Sequence, residues 1–79
     1  MANITYYVSM GFGRNEEGDL VALDPIESQN SSVAISKARS LAATNAGAVA
    51  FSRTGDPDVG EFDDAKMLWQ AGEIPSDLL

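Results

Sequence analysis

Carboxylates are the main reactive groups this chain offers. It carries 12 acids against five bases, with no histidine and no cysteine, for a formal charge of −7. Asp56, Asp58, Glu61, Asp63 and Asp64 fall within nine residues. Glu16, Glu17, Asp19, Asp24 and Glu27 form a second, looser group. Residues 28–55 hold no acid, only Lys37, Arg39 and Arg53. Two carboxylates can do acid–base work on a sugar. That work needs a pocket that desolvates one of them, and an 8.4 kDa chain has little volume for it. Without histidine or cysteine there is no Ser-His-Asp triad, no thiol nucleophile and no Cys/His zinc site. The expectation is a protein without enzymatic activity and without a cofactor.

Two loops invite a ligand and fail on spacing. Asp56-Pro-Asp-Val-Gly-Glu begins like a calcium loop. An EF-hand needs glycine at position 6 and a carboxylate at position 12, whereas here glycine is at position 5 and position 12 is Met67. Gly11-Phe-Gly-Arg-Asn-Glu-Glu-Gly is not Gly-x-Gly-x-x-Gly, enters no helix, and would repel a phosphate with its two glutamates. It reads as a hairpin tip.

The elements that position the acids follow from periodicity. Residues 3–10 alternate, with Ile4, Tyr6, Val8 and Met10 on one side and Thr5, Tyr7 and Ser9 on the other. That is a strand. Gly11 to Asp19 supplies turn chemistry, and Leu20 to Ile26 resumes an apolar pattern, giving a β-hairpin. Pro25 marks an edge or an end. Ser31 or Ser32 is the expected N-cap of an alanine-rich helix over Val33–Ala46, with Gly47 ending it. Ala34, Ile35, Ala38, Leu41 and Ala42 share its apolar face.

Ala48–Arg53 is a short strand, with Val49 and Phe51 on one side and Ala48, Ala50 and Ser52 on the other. Thr54–Gly60 is a turn cluster. Residues 61–73 fit a helix or a strand; the preceding turn favours a strand over Ala65–Ala71. The tail Ser76-Asp-Leu-Leu is expected to pack lightly. The order β-β-α-β-β predicts one α+β domain over residues 1–79. Its architecture is a four-stranded antiparallel sheet with one helix packed on one face.

Following the strands up and down puts Glu16, Glu17 and Asp19 at one end. Asp56 to Asp64 lie at the other, with Asp24 and Glu27 expected to join them there. The bland reading is that such loops keep a small protein soluble and blunt sheet edges. Trp69 is either core or, if exposed near the acids, a binding anchor.

Composition sets the partner class. An apolar fraction of 44% with 22% charged residues is that of a globular chain. No stretch approaches a membrane span, and the N-terminus lacks a signal peptide's basic start and apolar run. A cytoplasmic protein is expected. A charge of −7 opposes direct contact with nucleic acid or anionic membrane and favours a basic protein surface.

Gly47-Ala-Val-Ala-Phe-Ser-Arg-Thr-Gly-Asp-Pro-Asp-Val-Gly-Glu-Phe-Asp-Asp-Ala, followed by Gly72-Glu-Ile-Pro-Ser-Asp-Leu, resembles a group of small acidic bacterial proteins. Most are described only as hypothetical, and they are associated with alphaproteobacteria and their mobile elements. The resemblance spans about the C-terminal two thirds of the chain and carries no chemistry with it. In size, acidity and lack of catalytic residues the chain is similar to anti-CRISPR proteins, specifically inhibitors of a type I effector complex. That resemblance implies a bacterial host cell and an inhibitor acting as a DNA mimic. Its carboxylates would take the place of phosphates in a Lys/Arg groove and block target DNA. Asp56, Asp58, Glu61, Asp63 and Asp64 are the candidate partner-binding residues, with Glu16, Glu17 and Asp19 second. A monomer or weak homodimer is expected. The competing reading is a small adaptor or housekeeping module that binds protein through a sheet edge or dimer interface.

Overall fold

The structure, a computed structural model, describes residues 3–76. Two long strands form its centre. β1 (Ile4–Arg14) carries the alternating segment, and β4 (Gly47–Asp56) runs antiparallel beside it from Ile4↔Gly55 to Phe12↔Gly47. The outer side of β1 is lined by two short strands, β2 (Leu20–Ala22) and β3 (Ile26–Ser28). The outer side of β4 is lined by β5 (Glu61–Phe62) and β6 (Lys66–Gly72). All pairings are antiparallel, so six strand segments make four rows. One helix, α1 (Ser31–Thr44), packs across β1, β3, β4 and β6 on one face. This is the α+β, β-β-α-β-β arrangement that the alternation predicts.

Helix and sheet meet through alanines. Ala34 and Ala38 of α1 and Ala48 and Ala50 of β4 are all fully buried. Tyr7, Ile35, Leu41, Ala42, Leu68 and Trp69 pack around them. Methyl side chains let the two backbones approach closely. The Ser9 hydroxyl, fully buried on β1, donates to the Ala34 carbonyl at 2.6 Å. A single strand side chain therefore reaches the helix backbone directly, and its polar atom is satisfied by doing so.

Several boundaries differ from the sequence reading. β1 continues through Gly11 and Gly13 to Arg14, and the hairpin tip begins only at Asn15. The expected single strand over Leu20–Ile26 is two, broken at Leu23–Pro25, where Leu23 N still donates to Gly11 O. β4 runs on to Asp56, so the turn is confined to 57–60. β6, at Lys66–Gly72, lies one residue from its expected place. The part of the expected light-packing tail after Ser76 lies outside the described residues.

The helix ends differ too. Its N-cap is Asn30, not Ser31 or Ser32: the backbone is extended there (φ −155°, ψ 172°) and Asn30 Oδ1 accepts from Val33 N at 2.9 Å. Ser31 is already helical. Asn30→Ala is therefore expected to cost about 0.5–2 kcal/mol. Thermal unfolding followed by circular dichroism should show the loss, with Asn30→Ser or Asn30→Asp restoring most of it. The helix stops at Thr44, and Asn45 caps it by donating Nδ2 to Leu41 O at 2.9 Å. Gly47 does not end the helix. It opens β4, and a methyl group there would overlap the Glu73 backbone, which crosses directly over it.

Candidate protein-docking site

The two hairpin tips are built on one plan. In the first, Asn15 Oδ1 accepts from Glu17 N at 3.0 Å and from Asp19 N at 2.9 Å, and the turn closes through Gly18 at φ +85°. In the second, Asp56 Oδ1 accepts from Asp58 N at 2.9 Å. Gly60, at φ +72°, donates its N–H to Asp56 O at 2.9 Å. An Asn or Asp side chain opens each loop by bonding its own backbone, and a left-handed glycine closes it. These internal bonds turn the neighbouring carboxylates outward. Glu16, Glu17 and Asp19 are exposed at the first tip, and Asp58, Glu61, Asp63 and Asp64 at the second. Asp56 is half-buried and serves its own turn.

The tips stand at opposite ends. The first follows Arg14, the last residue of β1; the second follows Asp56, whose neighbour Gly55 pairs with Ile4. The ten steps of β1 between them cover roughly 33 Å at about 3.3 Å per residue. The longest Cα extent of the molecule is 44 Å, against 23 and 17 Å across. Asp24 and Glu27 do not join the second tip. Glu27 pairs with Val8, halfway along β1, and β3 lies on the opposite side of the central strands from β5. The grouping of seven acids at one end is thus reduced to the five from Asp56 to Asp64.

Beneath the second tip sits an aromatic that the sequence reading passed over. Phe62 is 37% exposed and pairs with Gly55. Its ring lies 6.0 Å from Tyr6, tilted by 47°, and the Arg53 guanidinium sits 5.7 Å from its centroid. Arg53 Nε also donates to the Asp63 carbonyl at 3.0 Å, which ties the acid-rich segment to β4. Arg53, Asp56, Glu61, Phe62 and Asp63 line an open hollow of about 700 Å³. The signal was legible: Glu61-Phe62-Asp63-Asp64 sets one aromatic inside an acidic run. The side chain weighed as an anchor, Trp69, lies elsewhere. It pairs with Ala50 on the helix side, half-buried, with the Arg39 guanidinium 5.9 Å from its ring.

Chemically the site is a run of exposed carboxylates in the segment that also carries one exposed aromatic. Among the described residues no group of three or more acids is placed to hold a metal ion. No described helix is long and apolar enough to cross a membrane. No protein-family model, curated protein or solved structure matches this chain.

Proposed function

We propose that this protein is a non-enzymatic inhibitor of the anti-CRISPR kind. Its acidic β4–β5 end docks on the Lys/Arg groove of a nucleic-acid-handling complex and keeps target DNA out. The supporting observation is the concentration of exposed Asp58, Glu61, Asp63 and Asp64, with exposed Phe62 in the same segment, at one end of a chain of charge −7. Like charges held this close repel one another at some cost to the fold. A basic partner relieves that repulsion, and electrostatic steering speeds the encounter. Phe62 supplies the apolar contact that acids alone cannot.

The dimensions suit the role. The tips are separated by roughly one turn of B-DNA, about 34–36 Å. A groove that follows a duplex could therefore meet Glu16, Glu17 and Asp19 with one stretch and the β4–β5 end with the next.

Affinity capture tests the reading. The tagged protein is incubated with lysate containing a type I CRISPR effector, at low and high salt, and bound proteins are identified by mass spectrometry. Retention of effector subunits, lost as salt rises and competed by target DNA, is the expected result. An effector that is not retained, or that is retained equally with saturating target DNA, contradicts it.

A further inference from the structure

The molecule has a second surface of opposite sign. β6 pairs with β4 along one side, and no described strand pairs with its other side. Its seven residues, Lys66–Gly72, include no acid and no proline, and Met67, Leu68 and Trp69 are only half-buried. Such an edge carries unpaired N–H and C=O groups at alternate positions, a template for another strand.

A bulge organises the side chains. The register jumps from Phe51↔Met67 to Ala50↔Trp69, leaving Leu68 as the extra residue. Lys66, opposite Ser52, and Trp69, opposite Ala50, therefore project from the same face although they are three apart. That is the helix face, because Ala50 packs on Ala34 and Ala38. Arg39 of α1 reaches over the Trp69 ring from above. Arg39 and Lys66 are both exposed, and among the described residues neither has a carboxylate partner. By contrast Arg14 pairs with Glu73, and Arg53 is committed to Asp63 and Phe62.

We infer that the open edge of β6, flanked by Arg39, Lys66 and Trp69, binds an extended acidic peptide segment of a partner protein as an added strand. The peptide backbone continues the sheet, its carboxylates meet the two cations, and an apolar side chain lies against the exposed part of Trp69. Nucleic acid fits less well. Its phosphates accept but do not donate, so they leave the carbonyls of the edge unmatched, whereas a peptide backbone supplies both donors and acceptors.

A random-peptide display library, selected on the whole protein, tests the inference directly. Enriched sequences are expected to be rich in Asp, Glu and β-branched residues and poor in Pro. The most enriched peptide, made synthetically, should shift the emission of Trp69, the only tryptophan in the chain. It should also perturb backbone amides of β6. Arg39→Gln with Lys66→Gln should weaken it about tenfold, the loss expected of two partly exposed ion pairs. Arg39→Glu with Lys66→Glu should turn the selection toward basic peptides. Enrichment without acidic character, no enrichment, or unchanged affinity in the Gln variant overturns the proposal. So does an equal emission shift with a single-stranded oligonucleotide, or a dimer of this chain formed through β6 that excludes the peptide.

Discussion

Phe12→Ala is expected to lose about 3–5 kcal/mol of stability. A chain of this length holds roughly 4–12 kcal/mol in all, so the variant should be marginal or unfolded at room temperature. The argument begins with position. Phe12 is 1% exposed, and its register partners are Gly47 on β4 and Ala22 on β2. It alternates with Gly11 and Gly13, which face the helix, so its ring lies on the face that has no helix. After Gly72 the chain turns across the sheet: Glu73 N donates to Ala46 O at 2.9 Å, and the Glu73 side chain pairs with Arg14. Gly47 and Phe12 share a face, and the Glu73 backbone occupies the space a side chain on Gly47 would fill. The segment through Glu73 thus crosses the face on which Phe12 lies, and paired strands flank Phe12 on both sides. Removing its ring leaves a void that strands paired on both sides do not easily close. Urea or thermal unfolding measures the loss, with Phe12→Leu as the milder comparison. A midpoint for Phe12→Ala close to that of the parent would contradict this burial.

The same crossing shows why some of the fold was hidden in the sequence. Alternation at residues 3–10 and the alanine face of the helix were readable because each element buries one side against a continuous partner. The glycines misled for the opposite reason. Gly11 has the composition of a turn, but it lies inside β1, where a methyl group would meet Leu23 Cδ1 at 3.3 Å and Leu41 Cβ at 3.5 Å. It is small so that α1 and the β2–β3 edge can approach, a demand made by residues distant in sequence. Gly47 yields to Glu73 in the same way, and local chemistry cannot tell such spacing from a helix stop. Asn30 was overlooked because two serines follow it, each an acceptable cap by composition. For the docking site, hairpin connectivity was enough to send the two acidic tips to opposite ends. Asp24 and Glu27 were misplaced because β3 stops opposite Tyr7 instead of reaching the end of β1. Phe62 was not singled out because its place opposite Gly55, over which its ring lies, follows from β4 running on past Arg53 to Asp56.

Reversing the charge of the β4–β5 end should have the largest effect on binding. Glu61, Asp63 and Asp64 are exposed, so Glu61→Lys with Asp63→Lys and Asp64→Lys removes no core contact. It also removes like-charge repulsion, and the variant should fold with a circular dichroism spectrum close to that of the parent. Against a basic groove each reversal replaces an attraction by a repulsion. Together they should weaken binding by about a hundredfold or more at low salt, because like charges juxtaposed at an interface cost several kcal/mol. Long-range steering is lost with them, so most of the salt dependence should go as well.

The most direct measurement is therefore competition between the protein and labelled target DNA for a purified type I effector, run over a salt series with the parent chain and this triple variant. The account predicts that the parent displaces DNA, that its potency falls steeply with salt, and that the variant is about a hundredfold weaker with a shallower slope. A variant that displaces DNA as well as the parent at low salt, or a parent that never displaces it, would contradict docking through the acidic end.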